Sequence, residues 1–188
     1  MKIFTSIAPG LEFVLAEELR LMLGRDVEQL EGGCELEGDL VDAAGICLWS
    51  RSAGRVRVRV GTVPASSLQQ LHGEAKKLDW RAFALPGQPL EIKVTSTRSR
   101  LGRTDVIGKK VGLAIKDALR GPGHRGRPPR HPLEVHVRVD GKLATLSVDA
   151  GGLLHKRGWR QATAKAPMRE NLATACLFAA GWQPGVPL

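Results

Sequence analysis

The residues of this 188-residue sequence whose types and spacing could do chemistry are its cations. Residues 98–130 hold ten Lys and Arg against two acidic residues, and residues 155–170 hold five against one. The whole chain carries a net charge of +9, so these two segments supply all of the excess. A protein that only needs solubility intersperses its signs. Clustered guanidinium and ammonium groups suit a polyanion, whose phosphates they seat without reading sequence. The candidate contacts are Arg98, Arg100, Arg103, Lys109, Lys110, Lys116, Arg120, Arg125, Arg127 and Arg130 in the first segment, with Lys156, Arg157 and Arg160 in the second.

Bond-breaking chemistry has no comparable support. Cys34, Cys47 and Cys176 are an odd number at wide spacings, which predicts reduced thiols in a cytoplasmic protein. The five histidines (72, 124, 131, 136 and 155) lack metal-ligand spacing and read as structural or solvated. There is no Walker loop, Gly-x-Gly-x-x-Gly, Gly-x-Ser-x-Gly or His-Glu-x-x-His. Tyrosine is absent and only four Phe and four Trp occur, too few for a base-stacking platform. Contact with phosphates and with RNA shape is the mode that remains. No apolar run is long enough for a membrane span, and the start MKIFTSIAPGLEF lacks a signal-peptide core.

The elements that must position the cations are legible in the hydrophobic period. Residues 2–7 alternate as a strand, and Pro9-Gly10 opens a helix with Leu11, Leu15, Leu19 and Met22 on one face. Short strands around residues 27–30 and 34–37 follow, then a helix capped by Asp39 and running to about Trp49. Residues 55–60 alternate Arg and Val strictly, as a half-buried strand with an arginine face. We expect that face to pair with the acidic stretch 28–42. This β-α-β-β-α-β order is the ferredoxin-like plan. After Pro64 the pattern predicts a helix over 68–83, a strand over 90–95 and a helix over 104–120 capped by Thr104 or Asp105. A Pro/Gly/Arg loop occupies 121–132, and a hairpin turns at Asp140-Gly141 between strands 134–139 and 143–148. In the 104–120 helix, Ile107, Val111, Ala114, Ile115, Ala118 and Leu119 form one apolar arc, and the lysines fall opposite. Gly108 and Gly112 lie between the arcs. Each costs about 1 kcal/mol relative to Ala, which close packing or a close phosphate would offset. A last helix, from Pro167 to Ala180 with Gly181 as C-cap, is apolar nearly all round. We expect it to lack a partner within these residues.

In this order of parts the chain resembles a known family. Residues 1–62 resemble the ferredoxin-like domain that accompanies THUMP domains. Residues 63–153 resemble the THUMP RNA-binding domain, best over SRLGRTDVIGKKVGLAIKDAL at 99–119. Residues 154–188, with HKRGWR, APMRENLA and AGW, resemble the linker and first helix leading into the Rossmann-type domain of bacterial large-subunit rRNA guanine methyltransferases. Such enzymes are often labelled adenine-specific DNA methylases. The resemblance implies an α+β fold and a parent enzyme that uses S-adenosylmethionine to methylate the 2-amino group of a guanine. It places the cofactor loop and the catalytic motif in a downstream methyltransferase domain. Only Ala166, Pro167, Met168, Arg169, Glu170 and Asn171 match a part that borders the cofactor. This chain would then hold no cofactor, catalytic residue or metal. It would be the cytoplasmic RNA-recognition part of the enzyme, taking structured RNA, rRNA ahead of tRNA. The competing readings are the RNA-binding part of a tRNA methyltransferase or thiouridine synthetase, and a free-standing RNA-binding adaptor.

Overall fold

A computed structural model describes all residues except 121–127, 159, 161, 163–164, 184 and 186–188. The described chain is α+β and divides into two compact units, residues 1–58 with 150–188, and residues 59–149. No described helix is long and apolar enough to cross a membrane.

The first unit is built from β1 (Lys2–Ser6), α1 (Glu12–Leu23), β2 (Glu28–Leu30), β3 (Gly33–Glu37), α2 (Leu40–Trp49) and the start of β4 (Arg55–Pro64). Its strands lie in the order β2-β3-β1-β4, with β1 antiparallel to both neighbours. This is the β-α-β-β-α-β ferredoxin-like plan. Ile3, Leu15, Leu19, Ile46 and Val56 are fully buried between sheet and helices. Gly24 closes α1 in the left-handed region, donating its N–H to the Arg20 carbonyl at 2.8 Å. Asp39 and Asp42 form a reciprocal capping box at the start of α2. Any Cβ on Gly33 would collide with the Thr5 carbonyl, so only glycine admits the β1–β3 pairing there.

After residue 149 the chain returns to this unit. Ala150 donates to the Val56 carbonyl at 2.9 Å and Leu154 to that of Gly54 at 3.0 Å. The last helix, α5 (Glu170–Ala179), is shorter than expected. Pro167, Met168 and Arg169 precede it, Arg169 occupying the N-cap position in an extended conformation. The expectation that this helix lacks a partner is corrected. α5 lies against α1, and Ala175 is fully buried, its small side chain allowing close approach. Leu172, Leu177 and Phe178 stay half-buried.

The second unit takes the remainder of β4 with α3 (Leu68–Lys76), β5 (Leu90–Thr97), α4 (Thr104–Leu119), β6 (Leu133–Asp140) and β7 (Leu143–Asp149). Strand order is β4-β7-β6-β5, with β5 parallel to β6 and β6–β7 a hairpin. Ile107, Val111 and Ile115 of α4 join Val135, Val137 and Val139 of β6 in one core with Leu71 and Trp80. The helix expected over 68–83 stops at Lys76, with a separate 3-10 turn at Trp80–Ala82. The cause is local. The Trp80 indole N–H donates to the Ala75 carbonyl at 2.7 Å, taking the acceptor that helix continuation would offer to Asp79. Neither expected cap opens α4. Thr104 and Asp105 are already helical, and Asp105 accepts from Arg103 Nε at 3.1 Å.

Candidate nucleic-acid interface

The candidate cations fall in two environments. On α4, Lys109 and Lys116 are seven residues apart and therefore share a face, both exposed, with Lys110 half-exposed beside them. None of the three has an ion-pair partner among the described residues. The opposite face is the buried arc that the sequence predicts. Packing accounts for Gly112, where a Cβ would stand 3.1 Å from Ile92 Cδ1, but not for Gly108, where a Cβ would make ordinary contact with Val94 Cγ2 at 3.4 Å.

Arg100 and Arg130 are exposed. Arg98, at φ +53°, forks onto Asp140 with bonds of 2.9 and 2.6 Å, and that contact holds the Asp140 carboxyl below the ordinary aspartate range. Arg103 pairs with Asp105, and Arg120 with Asp117 at 3.1 Å. All three side chains remain at least three-quarters exposed. Arg125 and Arg127 lie outside the described residues.

The second cluster is used differently. Lys156 is exposed, but Arg157 is half-buried and donates to the Ser50 carbonyl at 2.6 Å. Burial lowers the Arg157 pKa, opposed by Cys47 and Glu18. Arg160 pairs with Glu170 at 3.3 Å and donates to the Met168 carbonyl at 2.8 Å. Ala166, Pro167, Met168 and Arg169 are exposed, while Glu170 and Asn171 begin α5. A pocket of about 130 Å³ opens there among Arg51, His155, Arg157 and Asn171. Burial, then Arg169, lowers the His155 pKa, which favours neutral imidazole.

Two arrangements escape the sequence reading. Glu18 of α1 accepts from Ser50 Oγ at 2.7 Å, Arg51 N at 2.6 Å, Ser52 N at 3.1 Å and Ser52 Oγ, so one carboxylate orders the loop after α2. On the second unit, His136 Nε2 lies 2.6 Å from Glu134 Oε1 and 3.8 Å from Asp149 Oδ2, and Lys93 takes Glu134 Oε2 at 2.7 Å. These atoms have metal-ligand spacing that the sequence hid, because strand register rather than chain spacing joins them. Lys93 and the imidazole already occupy both oxygens of Glu134, so the group is a polar network of the sheet. Arg59 donates to Ser147 at 3.1 Å, while Lys2 and Arg25 serve Glu35 and Asp42 of the acidic stretch.

Residues 2–57 match the family described as the RlmL ferredoxin-like domain. The chain is 33% identical over 185 residues to the ribosomal RNA large subunit methyltransferase K/L of Methylococcus capsulatus, covering 95% of this chain and 25% of that protein. Among solved structures, a predicted N6-adenine-specific DNA methylase from Listeria monocytogenes superposes with TM-score 0.87 at 28% identity, over 99% of this chain and 50% of its own. SMU.472, a candidate methyltransferase complexed with SAH, gives TM-score 0.86 at 27% identity, over 99% of this chain and 50% of its own. The chain spans a quarter to a half of the length of the curated relatives it matches. The ferredoxin-like part is thus matched at residues 2–57, and the whole fold is similar to one that methyltransferases share.

Proposed function

We propose that this chain is the RNA-recognition part of an S-adenosylmethionine-dependent methyltransferase that acts on a guanine of rRNA. The observation that carries the reading is the α4 face, where Lys109 and Lys116 stand exposed without an ion-pair partner among the described residues. Unpaired cations on a rigid helix suit a phosphate backbone, since no internal bond must break before they bind. The rRNA methyltransferase relatives support the substrate class, and the SAH-complexed neighbour supports the cofactor in the longer protein. In this reading residues 1–62 are the ferredoxin-like domain and 63–153 the THUMP domain. Residues 154–188 lead into a methyltransferase domain, and the protein works in the cytoplasm.

The test is binding of this chain to fragments of large-subunit rRNA and to tRNA at two salt concentrations. With about six phosphates contacted, raising salt from about 50 to about 200 mM weakens binding on the order of a thousandfold. Preference for an rRNA fragment supports the reading and preference for tRNA moves it to the tRNA enzymes. Salt-independent binding, or none at low salt, overturns it.

A further inference from the structure

One concave surface of the first unit is unlike the rest. α1 and the end of α2 face α5 across an open groove of about 800 Å³, lined by Phe13, Leu21, Met22, Trp49, Phe178 and Trp182. Phe13 is 52% exposed, Trp49 73% and Leu21 79%. Single apolar side chains on a surface are ordinary, but six sharing one concavity mark a surface that is covered in use. Phe178 and Trp182 already stack, with ring centroids 6.4 Å apart and planes 17° from parallel, so one wall is preorganised.

The chemistry of the rim narrows the occupant. Glu17 and Glu18 line the same groove, and among the described residues Arg51 is its only lysine or arginine. The Glu18 carboxylate holds the 50–52 loop, which fixes Trp49 and Arg51 at the edge. An apolar floor with carboxylates at the rim repels a phosphate backbone, so RNA is excluded there although it suits α4. The occupant is a protein surface that is apolar in its turn.

Two further observations point to its source. Phe178, Gly181, Trp182 and Gln183 line one wall, so this part of the chain borders the groove. The solved relatives that match 99% of this chain are twice the matched length. A domain tethered at the rim meets the groove at a high effective concentration, which lets a modest apolar surface hold it. We propose that this groove seats the domain that follows residue 188 in the longer protein, joining that domain to α1 and α2 as well as to α5. The inference rests on the methyltransferase reading for the existence of that domain, and it adds the surface that receives it.

The experiment compares residues 1–188 with the same chain extended by whatever its coding sequence specifies after Leu188. In both, Cys176→Ser removes the exposed native thiol, and Leu21→Cys or, separately, Phe13→Cys reports the groove by its rate of maleimide labelling. Both positions are exposed, so the short chain keeps its fold, which circular dichroism checks. The expected result is labelling about tenfold or more slower at both positions in the extended protein. Equal rates overturn the proposal. So does the absence of any coding sequence after Leu188. Concentration-dependent protection within the short chain makes a second copy the occupant, and protection of the short chain by RNA makes RNA the occupant; either overturns it. Methylation of rRNA by the extended protein is scored separately. Protection without methylation keeps the groove and sinks the enzyme reading, while methylation without protection does the reverse.

Discussion

The two basic segments look alike in composition and differ in what their charges do. On α4, Lys109 and Lys116 point away from the core and have no acidic partner among the described residues. In residues 155–170, Arg157 is tied to Ser50, and Arg160 to Glu170 and Met168. A guanidinium that satisfies a half-buried carbonyl belongs to the fold, and drawing it to a phosphate leaves that carbonyl unpaired. A helix surface sets its lysines free because its hydrogen bonds close within the backbone. A loop has no such ladder and takes its bonds from side chains. Net charge therefore counts both segments equally, although Arg157 and Arg160 are committed to internal bonds and the three α4 lysines have no ion-pair partner among the described residues.

That contrast is sharpened first at Glu18. Its carboxylate is the shared acceptor for the 50–52 loop, whose Ser50 carbonyl in turn receives Arg157. Glu18→Ala strands several donors at once and is expected to lower stability by about 3 kcal/mol. Urea unfolding checks this. A loss under about 1 kcal/mol means that water replaces the carboxylate and that the loop is not its dependant.

The effect expected next in size is on binding. Replacing Lys109, Lys110 and Lys116 together by Gln removes about three phosphate contacts, so RNA affinity falls on the order of a hundredfold and the salt slope drops by about 3. Stability changes by less than about 0.5 kcal/mol for each, since none is buried. Filter binding across a salt series, with a melting curve of the triple variant, measures both.

Arg157→Met inverts that outcome. The aliphatic stem is kept and the donor to Ser50 is lost, so stability falls by about 1–2 kcal/mol while RNA affinity, at equal folded fraction, moves less than about twofold. If the ranking is reversed, with Arg157 governing RNA and the lysines governing stability, the distinction between the segments is wrong.

How far the sequence alone carries is uneven for physical reasons. The strands and helices of the first unit are legible because alternation in 55–60 and the capping box at Asp39 are local signals. The buried arc of α4 is legible because its period is that of the helix. The end of α3 is not, because a side-chain bond that the helical period does not encode decides it, the Trp80 indole taking the Ala75 carbonyl. The Glu134–His136–Asp149 network is hidden for a similar reason, as hairpin register brings it together. That Arg157 is spent internally depends on Ser50, a partner more than a hundred residues away, and composition holds no trace of that.

The smallest expected effect separates the two explanations for glycine on α4. Either glycine clears space for the sheet, or it clears space for a phosphate backbone. The packing distances favour the sheet at Gly112 and leave room for a methyl group at Gly108. At Gly108 a methyl group would meet Val94 at 3.4 Å and Ile92 at 3.8 Å, which is ordinary contact. Gly108→Ala therefore keeps most of the helix-propensity gain and stabilises by up to about 1 kcal/mol. At Gly112 the new methyl would stand 3.1 Å from Ile92 Cδ1, the free end of a side chain that can yield by a few tenths of an ångström. The yielding offsets the gain, so Gly112→Ala leaves stability within about 0.5 kcal/mol of the parent. Neither change touches a lysine, and both should leave RNA affinity unaltered. If Gly108→Ala stabilises the fold yet weakens RNA binding severalfold, the bare backbone at 108 is itself part of the contact surface. The α4 interface then extends from the lysine face to the groove between α4 and β5, where Thr104, Asp105 and Lys109 stand beside Ile92 and Val94.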